Sequence, residues 1–158
     1  MTVARRHRWN SWEQYRAIHD RKIASYSPHF VIDDLLAPVL TPNAVIWDGA
    51  LRCADGFEIQ VYKVQELRRR GDGRPEVRTT AYSYHVLQRG QDGERNVLRY
   101  DNAHAYDGHP DAHHRHDYEE GGTSHVQHLS EREWPDGDWP TLGDVLDELH
   151  ALWRSNQG

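Results

Sequence analysis

Ala44-Val-Ile-Trp-Asp-Gly-Ala-Leu-Arg52, then Asp55-Gly56, then Phe57-Glu-Ile-Gln-Val-Tyr62: two runs of alternating apolar positions separated by a turn dipeptide. Successive side chains of a strand point to opposite faces, so each run presents one apolar side. Asp-Gly between such runs favours the left-handed backbone of a tight turn, and the segment reads as a β-hairpin. Downstream, Val77 to Gln88 carries Tyr82, Tyr84 and Val86 on one face. It pairs with Arg95-Asn-Val-Leu-Arg-Tyr-Asp101 through the turn Gly90-Gln-Asp-Gly93. The polar stretch Arg70-Gly-Asp-Gly-Arg-Pro75 joins the two hairpins.

The flanks of these hairpins change period. Ser11 to Ile23 sets Trp12, Tyr15, Ile18 or His19, and Ile23 at helical spacing, with Ser11 as cap, Glu13 at the positive end and Pro28 as the stop. Thr141 to Trp153 carries an apolar stripe of Leu142, Val145, Leu146, Leu149, Leu152 and Trp153, with Thr141 as cap and Asp144 in the first turn. The pattern predicts an α+β fold: a twisted antiparallel β-sheet with an N-terminal helix and a C-terminal amphipathic helix packed on it. The 158 residues fit a single domain, 1–158, with 1–42 as an N-terminal helical extension and 43–153 as the core. Residues 102–123, rich in Gly, Asp and His, read as a long loop, with Val126 to Leu129 returning to the sheet.

Composition narrows the class. A hydrophobic fraction of 37% is low, but six Trp and eight Tyr bury large areas, which fits a globular chain. No apolar run approaches the roughly 20 residues that span a bilayer, and Met-Thr-Val-Ala-Arg-Arg lacks an apolar signal region. Cys53 stands alone, so an intramolecular disulfide and a multi-thiolate zinc site are excluded, and the cytoplasm is the default location. A net charge of −6 argues against a generally basic nucleic-acid binder. Arginines nevertheless crowd the start (Arg5, Arg6, Arg8, Arg16, Arg21) and the middle (Arg68, Arg69, Arg70, Arg74, Arg78), where they can contact phosphates locally. Trp9, Trp12, Trp134 and Trp139 are candidate partner anchors.

Chemistry concentrates late in the chain. Seven of the twelve histidines fall between His104 and His128, just after Arg99-Tyr-Asp-Asn102. Imidazole titrates near neutral pH and carries a lone pair when neutral, which suits proton transfer or metal binding. In an extended segment His114 and His116 share one side and His113 takes the other. His114 and His116 are the candidate proton-transfer pair, Asp101 the group that orients one of them, and Arg99 a phosphate clamp. His113 and His85 are reserves. Arg115, Asn102, Tyr84 and Arg68 to Arg70 are candidates for substrate binding. A divalent metal held by His114, His116 and Asp101 is the alternative; otherwise no cofactor is called for. Cys53 has no activating neighbour, and phosphate-binding glycine loops, nucleophile elbows and HExxH are missing from the sequence.

The order of these motifs resembles a known family. An Asp-Gly hairpin, Tyr82-Ser-Tyr-His85, Arg99-Tyr-Asp-Asn102, His113-His-Arg-His116 and a C-terminal helix are similar to the TumE family of toxin–antitoxin proteins, over about residues 43–153. The resemblance implies a small cytoplasmic toxin held by a cognate antitoxin and, by analogy with many small toxins, acting on RNA. It also implies an acidic residue closing the strand after Asp55-Gly56, where Lys63 stands, with Glu66 three positions on as a substitute. Three functions stay open: a metal-free endoribonuclease, a metal-dependent nuclease, and a module that binds nucleic acid or an acidic partner through its arginines. Oligomeric state is not legible.

Overall fold

The hairpin that decides the fold is built as β4 (Ala44–Cys53) and β5 (Phe57–Arg69). Asp55 and Gly56 turn the chain with φ of 57° and 76°. A Cβ at Gly56 would lie 2.1 Å from the carbonyl oxygen of Arg89, so glycine is needed for backbone approach as well as for conformation. The computed structural model describes residues 8–102, 113–119, 124–128 and 140–157.

Seven further strands join this pair: β1 (Asn10–Ser11), β2 (Val31–Asp34), β3 (Ala37–Leu40), β6 (Pro75–Gly90), β7 (Gly93–Asp101), β8 (His114–Tyr118) and β9 (Ser124–His128). The nine strands form one antiparallel sheet in the order β2-β4-β5-β6-β7-β8-β9, with β3 beside β4 and β1 beside β6. With α1 (Trp12–Ala24) and α2 (Leu142–Ser155) the architecture is α+β, as the patterning implies.

Both helices begin at side-chain caps. Ser11 Oγ accepts from Gln14 N at 2.9 Å, and Thr141 with Asp144 forms a reciprocal capping box. Such caps stabilise a helix by about 1 kcal/mol. His19, not Ile18, is the inward residue of α1: its ring sits 4.5 Å from that of Trp47, whereas Ile18 is exposed. Leu142, Val145, Leu146 and Leu149 of α2 are buried against the sheet. Together with Phe30, Trp47, Leu51, Ile59, Val61, Tyr84 and Val86 they make the core, each large side chain contributing about 1.5–3 kcal/mol on burial.

Two expectations change. The stretch 1–42 is not a helical extension throughout: α1 ends at Ala24, and β2 and β3 add a two-part edge to β4. Their signals are short and one carries Pro38, which an edge strand tolerates. Nor is 102–123 loop throughout, because His114 to Tyr118 pairs with β7 on one side and β9 on the other. Neighbouring strands satisfy its backbone, so a polar sequence holds strand geometry. Residues 103–112, including His104, Asp107 and His109, lie outside the described residues, as do Arg5, Arg6, Trp134 and Trp139.

Candidate active site

Cross-strand register builds the site. Directly opposed residues in an antiparallel pair share a face, with strands about 4.8 Å apart. His85, Arg99 and His116 are opposed across β6, β7 and β8, and Ser83, Asp101 and His114 form the next row. The two helices take the other face: Trp47 meets α1, while Tyr100 donates to Glu148 of α2 at 3.0 Å.

Asp101 is the centre of this arrangement and is fully buried. Its Oδ2 lies 2.8 Å from Arg99 Nε and 3.4 Å from His116 Nε2, and its Oδ1 is 3.9 Å from His114 Nδ1. A buried carboxylate is costly unless ion-paired, and Arg99 supplies a permanent positive charge. Exposure then separates the partners. The side chains of Arg99 and His116 remain 32% and 22% exposed, whereas that of His114 is only 5% exposed. Arg99 and His116 can therefore meet a ligand while Asp101 holds them from below. His114 packs beside the carboxylate.

His85 flanks Arg99 on the opposite side from His116. Its Nε2 is 2.8 Å from Asn96 Oδ1. With that oxygen accepting, the ring proton sits on Nε2 and the lone pair on Nδ1. Partial burial lowers the His85 pKa; Asn96 raises it, and the Arg99 charge lowers it further. A neutral ring with a free lone pair is what a general base requires. Tyr118 completes the cluster, its ring centroid 6.0 Å from His85 and 6.4 Å from His116, nearly parallel to the latter.

The remaining candidates are elsewhere. His113 faces the helix side, where its Nδ1 lies 2.7 Å from Tyr82 Oη in a stacked pair. Tyr84 is buried in the core, its phenol pKa raised chiefly by that burial. Arg115 is bound by Glu148, Asp117 and the Tyr100 hydroxyl. Asn102 is a brace: its side-chain oxygen accepts from Tyr82 N at 2.8 Å and its amide donates to Thr80 O at 2.9 Å. Arg68 and Arg69 at the end of β5, and Arg70 just beyond it, sit six or more residues along the chain from Tyr62, roughly 20 Å from the histidine rows. Arg68 there pairs with Glu76 and stacks on Trp9 at 3.9 Å. Among the described residues no group of three or more His, Cys, Asp or Glu is placed to hold a metal ion. Beside Asp101 that position goes to the Arg99 guanidinium. Cys53 is buried, which pushes its thiol up to about 12 and removes it as a nucleophile. Sequence reasoning missed Tyr118 and Asn96. Tyr118 had a signal, the alternation His114-x-His116-x-Tyr118 that puts all three on one face.

A family model described as Toxin TumE matches residues 19–152. The chain belongs to the TumE toxin family. Membership gives this TumE protein the role of a toxin, with an antitoxin as partner. No curated protein and no solved structure is detectably similar to it. The matched region begins at His19, further toward the N-terminus than the motifs that carry the resemblance, and so takes in the C-terminal part of α1 together with β2 and β3. Lys63 does not face the histidine rows. It is buried on the helix side, with its ammonium 4.9 Å from the Tyr15 ring and 5.0 Å from that of Trp47. Glu66, the other acid considered, is paired with Arg78 at 2.7 Å. Neither position contributes to the Asp101 cluster. No helix among the described residues is long and apolar enough to cross a membrane.

Proposed function

We propose that this toxin is an endoribonuclease that cuts cytoplasmic RNA without a metal ion. The observation that supports it is the row His85–Arg99–His116 over a buried Asp101: two imidazoles flank a guanidinium, and a carboxylate anchors both the guanidinium and one imidazole. A phosphate on Arg99 would lie between the two rings. His85 Nδ1 takes the proton of the ribose 2′-hydroxyl as its oxygen bonds to phosphorus. His116, whose Nε2 faces Asp101, gives a proton from Nδ1 to the 5′-oxygen as the P–O5′ bond breaks. Arg99 stabilises the extra negative charge on the phosphorane oxygens. His114, too buried to meet substrate, positions Asp101. The products carry 2′,3′-cyclic phosphate and 5′-hydroxyl ends.

The test is incubation of the untagged protein with total RNA in chelator, followed by mapping of the new ends. Cleavage to 5′-hydroxyl ends supports this mechanism. Cleavage that leaves 3′-hydroxyl ends overturns it. Loss of activity in chelator, restored by one divalent ion, would transfer the site to the metal-dependent alternative.

A further inference from the structure

The histidine face carries two tyrosines that this mechanism does not use. Tyr62 of β5 is opposed to Ser83, which is opposed to Asp101, so Tyr62 belongs to the Asp101–His114 row, two strands away. It is 49% exposed, among the largest exposed aromatic surfaces of the described residues. Tyr118 lies on the other flank, on β8 beyond His116, its ring nearly parallel to the His116 ring. Three strand intervals, about 14 Å, separate the strands that carry the two rings, and Arg99 and Asp101 lie on β7 between them.

An exposed tyrosine on a sheet surface gains little from packing within its own chain. Among the described residues three other phenols are embedded: Tyr82 and Tyr84 stack in the core at 5.3 Å, and Tyr100 is bonded to Glu148. A sheet face with aromatic rings either side of a partly exposed arginine suits a nucleic acid strand whose bases are free to stack. In a duplex those base faces are already covered, and side chains reach mainly the backbone and groove edges. Each base stacked on an aromatic side chain contributes substantial affinity with little regard to sequence.

We propose that Tyr62 and Tyr118 are base-stacking platforms that make unpaired RNA the substrate of this face and set the scissile phosphate over Arg99. The proposal rests on the ribonuclease reading for the chemistry, but stacking itself requires no cleavage. The probe is a short oligoadenylate with 2′-O-methyl riboses, which cannot be cut by the 2′-oxygen, labelled with fluorescein or with internal 2-aminopurine. Anisotropy of the full chain is read against this strand and against its duplex with a complementary strand. Wild type is expected to favour the single strand and to quench 2-aminopurine. Tyr62→Ala and Tyr118→Ala should each weaken binding by between about five-fold and a hundred-fold. Tyr62→Phe and Tyr118→Phe, which keep the ring, should bind like wild type. With cleavable RNA, the alanine variants should raise KM more than they lower kcat, and circular dichroism checks their folding.

Equal affinity for strand and duplex, or alanine variants that are folded and bind normally, would overturn the platforms even if cleavage to 5′-hydroxyl ends continues. Tyrosine-dependent binding by a protein that cuts nothing would keep the platforms and remove the nuclease. Failure to bind either probe removes the platforms, and only failure to cut RNA as well removes the nuclease.

Discussion

The two faces of the sheet use polar residues in opposite ways. On the face covered by α1 and α2, polar side chains of the described residues close on partners within the fold. Trp47 Nε1 donates to Gln65 Oε1 at 2.7 Å, Tyr82 meets His113, and Tyr100 and Arg115 close on Glu148. On the other face Asp101 holds Arg99 and His116, His85 flanks Arg99, and all three keep part of their surface open. The difference shows that composition alone does not mark a site. His113 and His114 are adjacent and equally polar, yet one becomes a core hydrogen-bond partner and the other a neighbour of the Asp101 carboxylate.

The contrast breaks first at His116. His116→Ala should lower RNA cleavage by about a hundred-fold to ten-thousand-fold while leaving the unfolding midpoint near that of wild type. A variant that cuts normally would show that the open face is not the engine. The covered face should answer the other way. Trp47→Ala leaves a cavity beneath α1 and should cost about 3–5 kcal/mol of stability in a denaturant titration. Retention of wild-type stability would mean that this face is not the core.

Acid sharpens the comparison. His19, half-buried against Trp47, lies near Lys63, and desolvation with the Lys63 charge lowers its pKa to about 4 from the ordinary 6.5. A histidine held neutral in the fold binds its proton more readily in the unfolded chain. Its contribution is complete above about pH 6.5 and is lost progressively as pH falls toward 4. His19→Leu should flatten that slope in a pH series of melting temperatures; an unchanged slope would assign it to other groups. His85 shifts in the same direction, so the acid limb of kcat/KM should lie below the ordinary imidazole range. The smallest effect belongs to the helix–helix clasp. Lys22 pairs with Asp147 at 2.8 Å on the surface, and Lys22→Ala should cost no more than about 1 kcal/mol because water screens such pairs.

What the sequence made legible was local. The Asp55-Gly56 turn, the Ser11 and Thr141 caps and the α2 stripe are each specified within a few residues. The alternation around Arg99 to Asp101 and His114 to His116 also placed those side chains on shared faces. β2 and β3 were illegible because four-residue strands take their identity from the partner strand β4. β8 was illegible for a related reason: His-Arg-His-Asp-Tyr has no apolar face, and only β7 and β9 make it a strand. The deeper burial of His114 relative to His116 could not be read either, since alternation assigns a face but not a depth.

Arg115 carries a final consequence. It sits between His114 and His116 but points to the helix side, where Glu148, Asp117 and Tyr100 hold it. Because side chains alternate, a slip of β8 by one residue against β7 would turn both histidines into the core and push Arg115 out. The clasp to α2 thus works as a proofreading catch: a mis-registered molecule would carry no assembled cluster at all, rather than a distorted one.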